Sequence, residues 1–118
     1  MTEMDSKNTE KIRQLNDDFR KSFFGGRIMI TQGIQALDQN TQAIIVAVVK
    51  GFNSFTEDND PHKEHDFGSF VVTKGGGGSV KIFWKIDYYD KKMEFGSEDP
   101  SDVAQTTRVL TIMLADEY

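Results

Sequence analysis

The residues of this chain that could carry chemistry crowd into one stretch. Glu57-Asp58-Asn59-Asp60-Pro61-His62-Lys63-Glu64-His65-Asp66 holds five carboxylates, one lysine and both histidines of the chain. Imidazole and carboxylate are the ligands that zinc, manganese and iron take, and two histidines three apart on a loop can converge on one ion. A hydrolytic centre needs three such ligands plus an open position for water. Carboxylates would have to complete the set here, and the spacing fits no strong metal motif, so no metal or other cofactor is called for. Recognition is the simpler chemistry. Asp58, Asn59, Asp60, His62, Glu64, His65 and Asp66 form an acidic, hydrogen-bonding surface just ahead of a strand, where binding residues collect. The plainer alternative is a solvated loop. In it Asp60-Pro61 turns the chain, the carboxylate accepts backbone amides, and the histidines pack at the sheet edge.

A second group lies on Trp84-Lys85-Ile86-Asp87-Tyr88-Tyr89-Asp90. Strand alternation puts Trp84, Ile86 and Tyr88 on one face, which reads as core, and Lys85, Asp87 and Tyr89 on the other. In a cleft beside the acidic loop those three could orient a polar ligand. No Ser-His-Asp arrangement is legible and the chain has no cysteine, so nucleophilic catalysis has no carrier.

These groups need elements to hold them. From Thr9 to Phe23, Ile12, Leu15, Phe19 and Phe23 recur at three- and four-residue steps, the stripe of an amphipathic helix that Gly25-Gly26 would end. Arg27 to Thr31 reads as a short strand with a turn near Gln32-Gly33. Thr41 to Asn53 is ambiguous. Its β-branched content favours a strand, which would make the fold mostly β, whereas its length, a cap at Asp38 or Asn40, and the spacing of Ile44, Val48, Phe52 and Phe55 favour a helix. Phe67–Thr73, Lys81–Tyr89 and Met93–Phe95 read as an antiparallel meander. Gly75-Gly76-Gly77-Gly78-Ser79 joins the first two as a mobile tip, lacking the Lys-Ser/Thr of a phosphate loop. Asp99-Pro100-Ser101-Asp102 has the form of a helix start. Thr106 to Leu114 reads as a closing strand, with a continuous helix as the alternative. The expected architecture is one α+β domain over 1–118 with a frayed start at 1–8: an antiparallel sheet of about four strands with two helices packed on one side.

The 118 residues carry 14 Lys+Arg against 19 Asp+Glu. Residues 1–50 hold seven basic and six acidic side chains, residues 51–118 seven and thirteen. That balance argues against duplex DNA, whose binders neutralise phosphates with Lys and Arg. The absence of cysteine excludes a disulfide scaffold. No apolar run suits a membrane span, and the N-terminus has no secretory segment, so the expected location is the cytoplasm.

Phe55 to Gly68, Trp84 to Asp90 and Arg108-Val109-Leu110-Thr111-Ile112-Met113-Leu114-Ala115-Asp116-Glu117-Tyr118 resemble the signature segments of one bacterial family, a domain of unknown function of about this length. Asn16-Asp17-Asp18-Phe19-Arg20 and Thr31-Gln32-Gly33-Ile34 also fit its pattern. Relatives carry a shorter connection at the glycine run. The resemblance implies no activity, but it does imply an accessory role on mobile genetic elements. Charge and resemblance together lead to the expectation of a small, acidic, non-catalytic binding or inhibitor protein of anti-defence type, anti-CRISPR or anti-restriction. Its partner would be a protein with a basic surface, a defence nuclease or a nucleoprotein complex. The alternative is a small metal-assisted hydrolase, or a nucleotide or small-ligand binder, using the loop from His62 to Asp66.

Overall fold

A computed structural model describes residues 3–118, with side chains from Asn8 onward. Helix α1 (Glu3–Ser22) leads into strand β1 (Arg27–Ile30), a single helical turn α2 (Gln32–Gln35) and helix α3 (Gln39–Gly51). A long loop follows, then strands β2 (Phe67–Thr73), β3 (Ser79–Tyr89) and β4 (Thr107–Leu114), and a closing 3₁₀ turn over Ala115–Glu117. Of the start read as frayed, Met1 and Thr2 lie outside the described residues. Among the described residues no helix is long and apolar enough to cross a membrane.

The sheet order is β1-β4-β3-β2. β3 pairs antiparallel with both β2 and β4, while β1 runs parallel to β4 with Arg27 opposite Val109 and Ile30 opposite Ile112. The fold is therefore α+β with a mostly antiparallel sheet, and the parallel edge pair departs from the all-antiparallel expectation. One face of the sheet carries the core. Val72, Ile82, Trp84, Ile86, Leu110 and Ile112 pack there against Phe19 of α1, Ile34 of α2 and Ile45 and Val49 of α3.

Several local readings change. α1 stops at Ser22, and the first left-handed residue beyond it is Phe23, at φ 60°, before Gly25 at φ 99°. The segment after Thr41 is a helix, with the side chain of Asp38 accepting the Thr41 amide at its N-terminus. Its buried face is Thr41, Ile45 and Val49, which leaves Ile44 45% exposed and so puts the apolar stripe one residue out of the expected phase. Met93–Phe95 forms no strand. Asp90 closes a tight turn by accepting the Met93 amide on its carbonyl and the Glu94 amide on its carboxylate, so the returning chain meets β3 only in an isolated bridge between Gly96 and Tyr89. Asp99-Pro100 starts no helix, because Asp99 and Asp102 bond the amides of Ser101 and Ala104 in successive turns. The glycine tip joins β2 to β3 as expected. Gly76, Gly77 and Gly78 take positive φ, and the Gly75 amide donates to Thr41 Oγ1 at 3.0 Å.

Candidate functional site: the acidic loop on helix α1

The loop between α3 and β2 is held from within by side chains that sequence reading placed on a binding surface. Asn59 Oδ1 accepts the Thr56 amide and its Nδ2 donates to the Ser54 carbonyl. Asp60 is 5% exposed, and its Oδ1 accepts the amides of both Glu64 and His65 at 3.1 Å. This is the turn-forming role expected of an aspartate before proline. Lys63 and His65 take left-handed backbone at φ 60° and 56°, a conformation that non-glycine residues rarely adopt. The dense net of hydrogen bonds around them fixes it.

Helix α1 supplies the floor. Asn16 and Arg20, 0% and 1% exposed, sit on the same side of the helix as Ile12 and Phe19. Asn16 Nδ2 donates to the Glu64 carbonyl at 2.9 Å and to the Tyr88 hydroxyl at 2.8 Å, and its Oδ1 accepts from Arg108 Nε at 2.7 Å. The Tyr88 hydroxyl donates in turn to Glu64 Oε1 at 2.7 Å. Burial first, and then this bond to Glu64, push the Tyr88 phenol well above its ordinary value, so it remains a neutral donor. Arg20 donates to the carbonyls of Val49 and Lys50 and to Asp17, and its guanidinium lies over the Trp84 ring at 5.2 Å.

His65 closes this assembly. Its ring stacks on Phe55 with centroids 3.7 Å apart, Nδ1 lies 2.9 Å from Asp17 Oδ1, and Nε2 lies 3.7 Å from Asp60 Oδ2. Both ring nitrogens face carboxylates of the protein, so the imidazole acts as a clamp between helix and loop. Asp66, at the entry to β2, accepts the Ile86 amide on its carbonyl. Burial, reinforced by the charge of Glu64, raises its carboxyl above the ordinary aspartate value. Asp58 and His62 are exposed, as is Glu57. His62 lines a shallow hollow with Glu10, Arg13 and Lys63. Among the described residues no group of three or more His, Asp or Glu side chains could hold a metal ion.

Lys85, Asp87 and Tyr89 do not join the loop. The alternation that turns Tyr88 toward Glu64 points them to the opposite face of the sheet, where Lys85 Nζ meets Asp87 Oδ2 at 2.9 Å. The hydrogen bond to Asp87 raises the Lys85 ammonium pKa. Sequence reading missed Asn16, Asp17, Arg20 and Arg108. A signal existed for Asn16 and Arg108, since each is a polar residue at a core-facing position of its element.

No curated protein and no solved structure matches the chain. Of the segments that carry the resemblance, the one at Asn16–Arg20 precedes the region matched by a known family, and those from Thr31 to Glu117 fall inside it. That match spans residues 30–117, most of the chain and all four strands but for the first residues of β1, and so the chain belongs to the family described as "Protein of unknown function (DUF3768)".

Proposed function

We propose that this protein is a small, acidic, non-catalytic binding protein that docks the rim of its 57–66 loop on a basic protein surface and acts there as an inhibitor. The observation that carries the reading is a division of labour within the loop. The groups with a catalytic look, Asp60, Glu64 and His65, are committed to backbone amides, a tyrosine hydroxyl and an aspartate of the same chain. Glu57, Asp58 and His62 stand outside this net, exposed on a loop whose shape the net fixes. A preorganised acidic rim loses little entropy on binding and steers toward positive potential. A bacterial anti-defence role, with a defence nuclease or nucleoprotein complex as partner, accords with the net charge of −5 and with occupation of a nucleic-acid groove by a protein.

The test is affinity capture with the full chain from a bacterial lysate at low salt, beside the double variant Glu57→Lys/Asp58→Lys. The expected result is a basic protein retained by the natural chain, released by raised salt, and lost from the variant at unchanged melting temperature. Equal recovery with both chains, or a gel shift of random duplex DNA at micromolar protein, would overturn the proposal.

A further inference from the structure

All three helices pack on one face of the sheet, and the other face is an open groove of about 630 Å³. That volume lies within the range of roughly 300–1,000 Å³ in which proteins bind small molecules. Its floor comes from β4, where Val109 and Met113 flank Thr111. Arg27 and Met29 of the edge strand β1 stand opposite Val109 and Thr111, which on their other side face Asp87 and Lys85 of β3. At one end Phe67, Phe83 and Tyr118 form an edge-to-face cluster with centroids 5.3 to 6.1 Å apart. Met29 is 58% and Tyr118 74% exposed, so the groove offers apolar surface to water.

The charged side chains of this groove, Arg27 and Lys85 against Asp87 and Glu117, balance in number but not in pairing. Asp87 is paired with Lys85. Glu117 accepts from the Thr31 hydroxyl at 2.6 Å and from the amides of Gly33 and Leu114, which fastens the closing turn to β1 and α2. Both lining carboxylates are thus engaged. The Arg27 guanidinium has no hydrogen-bond or ion-pair partner among the described residues, and neither the Tyr89 nor the Thr111 hydroxyl has a hydrogen-bond partner there. An unpaired guanidinium and two unengaged hydroxyls beside the exposed Met29 suit an anion with an apolar body.

We propose that the open sheet face binds a small amphipathic organic monoanion, its head on Arg27 and its apolar body along the exposed Met29 toward the Tyr118 ring. One free guanidinium presents one planar fork, which suits a single carboxylate or phosphate head, while a polyphosphate would lack counter-charge because Lys85 is already paired.

Sodium octanoate is the probe, titrated into the full chain and followed by amide NMR. Saturable shifts are expected along Arg27–Ile30, Lys85–Tyr89 and Thr107–Leu114. Arg27→Gln should weaken binding about tenfold, the loss of one charge-assisted contact. Arg27 is exposed, so the variant should melt with the natural chain. Octylamine, of the same length and opposite charge, should give no saturable shift in these strands. Shifts elsewhere, equal binding of octylamine, or unchanged affinity in the variant would each overturn the proposal.

Discussion

Asn16 and Arg108 meet across the core at 2.7 Å, Oδ1 to Nε, although they stand 92 residues apart in the chain. Through this contact one buried amide ties helix α1, the 53–66 loop and strand β4 together, because the same side chain also holds the Glu64 carbonyl and the Tyr88 hydroxyl. Asn16→Ala should destabilise the protein by about 1–3 kcal/mol, since it takes away the partner of Arg108 Nε and of the part-buried Glu64 carbonyl at once. Urea denaturation measures this directly. A loss below about 0.5 kcal/mol, the range of surface changes, would show that water replaces the amide.

The two histidines should separate under substitution. His62→Ala leaves stability within about 0.5 kcal/mol, as surface changes do. His65→Ala removes the stack on Phe55 and the bond to Asp17, and should lower stability by about 1–3 kcal/mol. Thermal melts of the two variants side by side make the comparison, and equal melting temperatures would contradict it.

Asp66 makes stability depend on pH in a defined direction. Burial and the charge of Glu64 raise its carboxyl above the ordinary 3.8, so the folded state takes up this proton more readily than the unfolded chain does. The contribution favours folding below the unfolded value and is lost as pH rises through the raised one. Asp66→Asn should therefore be more stable than the natural chain at pH 7, and the gap should narrow as pH falls toward the ordinary aspartate value. Denaturation at a series of pH values from neutral downward reads the trend. A gap that widens on acidification would reverse the assignment.

Two glycines of the same type should respond oppositely. A Cβ on Gly68 would lie 2.4 Å from Trp84 Nε1, on a ring that is 0% exposed, whereas a Cβ on Gly51, the last residue of α3, meets nothing within 4 Å. Gly68→Ala should cost about 1–3 kcal/mol through overpacking. Gly51→Ala should be neutral or stabilising by up to about 1 kcal/mol. Calorimetric melts distinguish the pair.

What could be read from the residues follows the physics of each element. β3 announced itself from Lys81 to Tyr89 because alternation over nine residues has one structural meaning, although the strand begins two residues earlier, at Ser79. Met93-Glu94-Phe95 alternates too, but three residues carry no pairing information, and the Asp90 turn took them instead. In α3 the apolar residues run nearly all round the helix, so the buried face was set by a feature that hydropathy does not see, the capping of Thr41 by Asp38. The parallel register of β1 on β4 belongs to topology, and a four-residue strand cannot encode it. The acidic loop was legible as a place, since composition marks it. Its inner and outer residues were not, because the deciding partners, Asn16, Asp17 and Tyr88, are far away in sequence.

The parallel pairing of Arg27 with Val109 also sets an order of events. β1 leaves the ribosome well before β4, its one neighbour in the sheet among the described residues, so this edge of the nascent chain waits unpaired while β2 and β3 can zip into a local hairpin. Closing so wide a loop is the entropically expensive step of assembly and should come last. Until it does, Ile28 and Ile30 have no sheet to lie on, and the waiting chain is exposed to chaperones and to aggregation in a way the finished one is not.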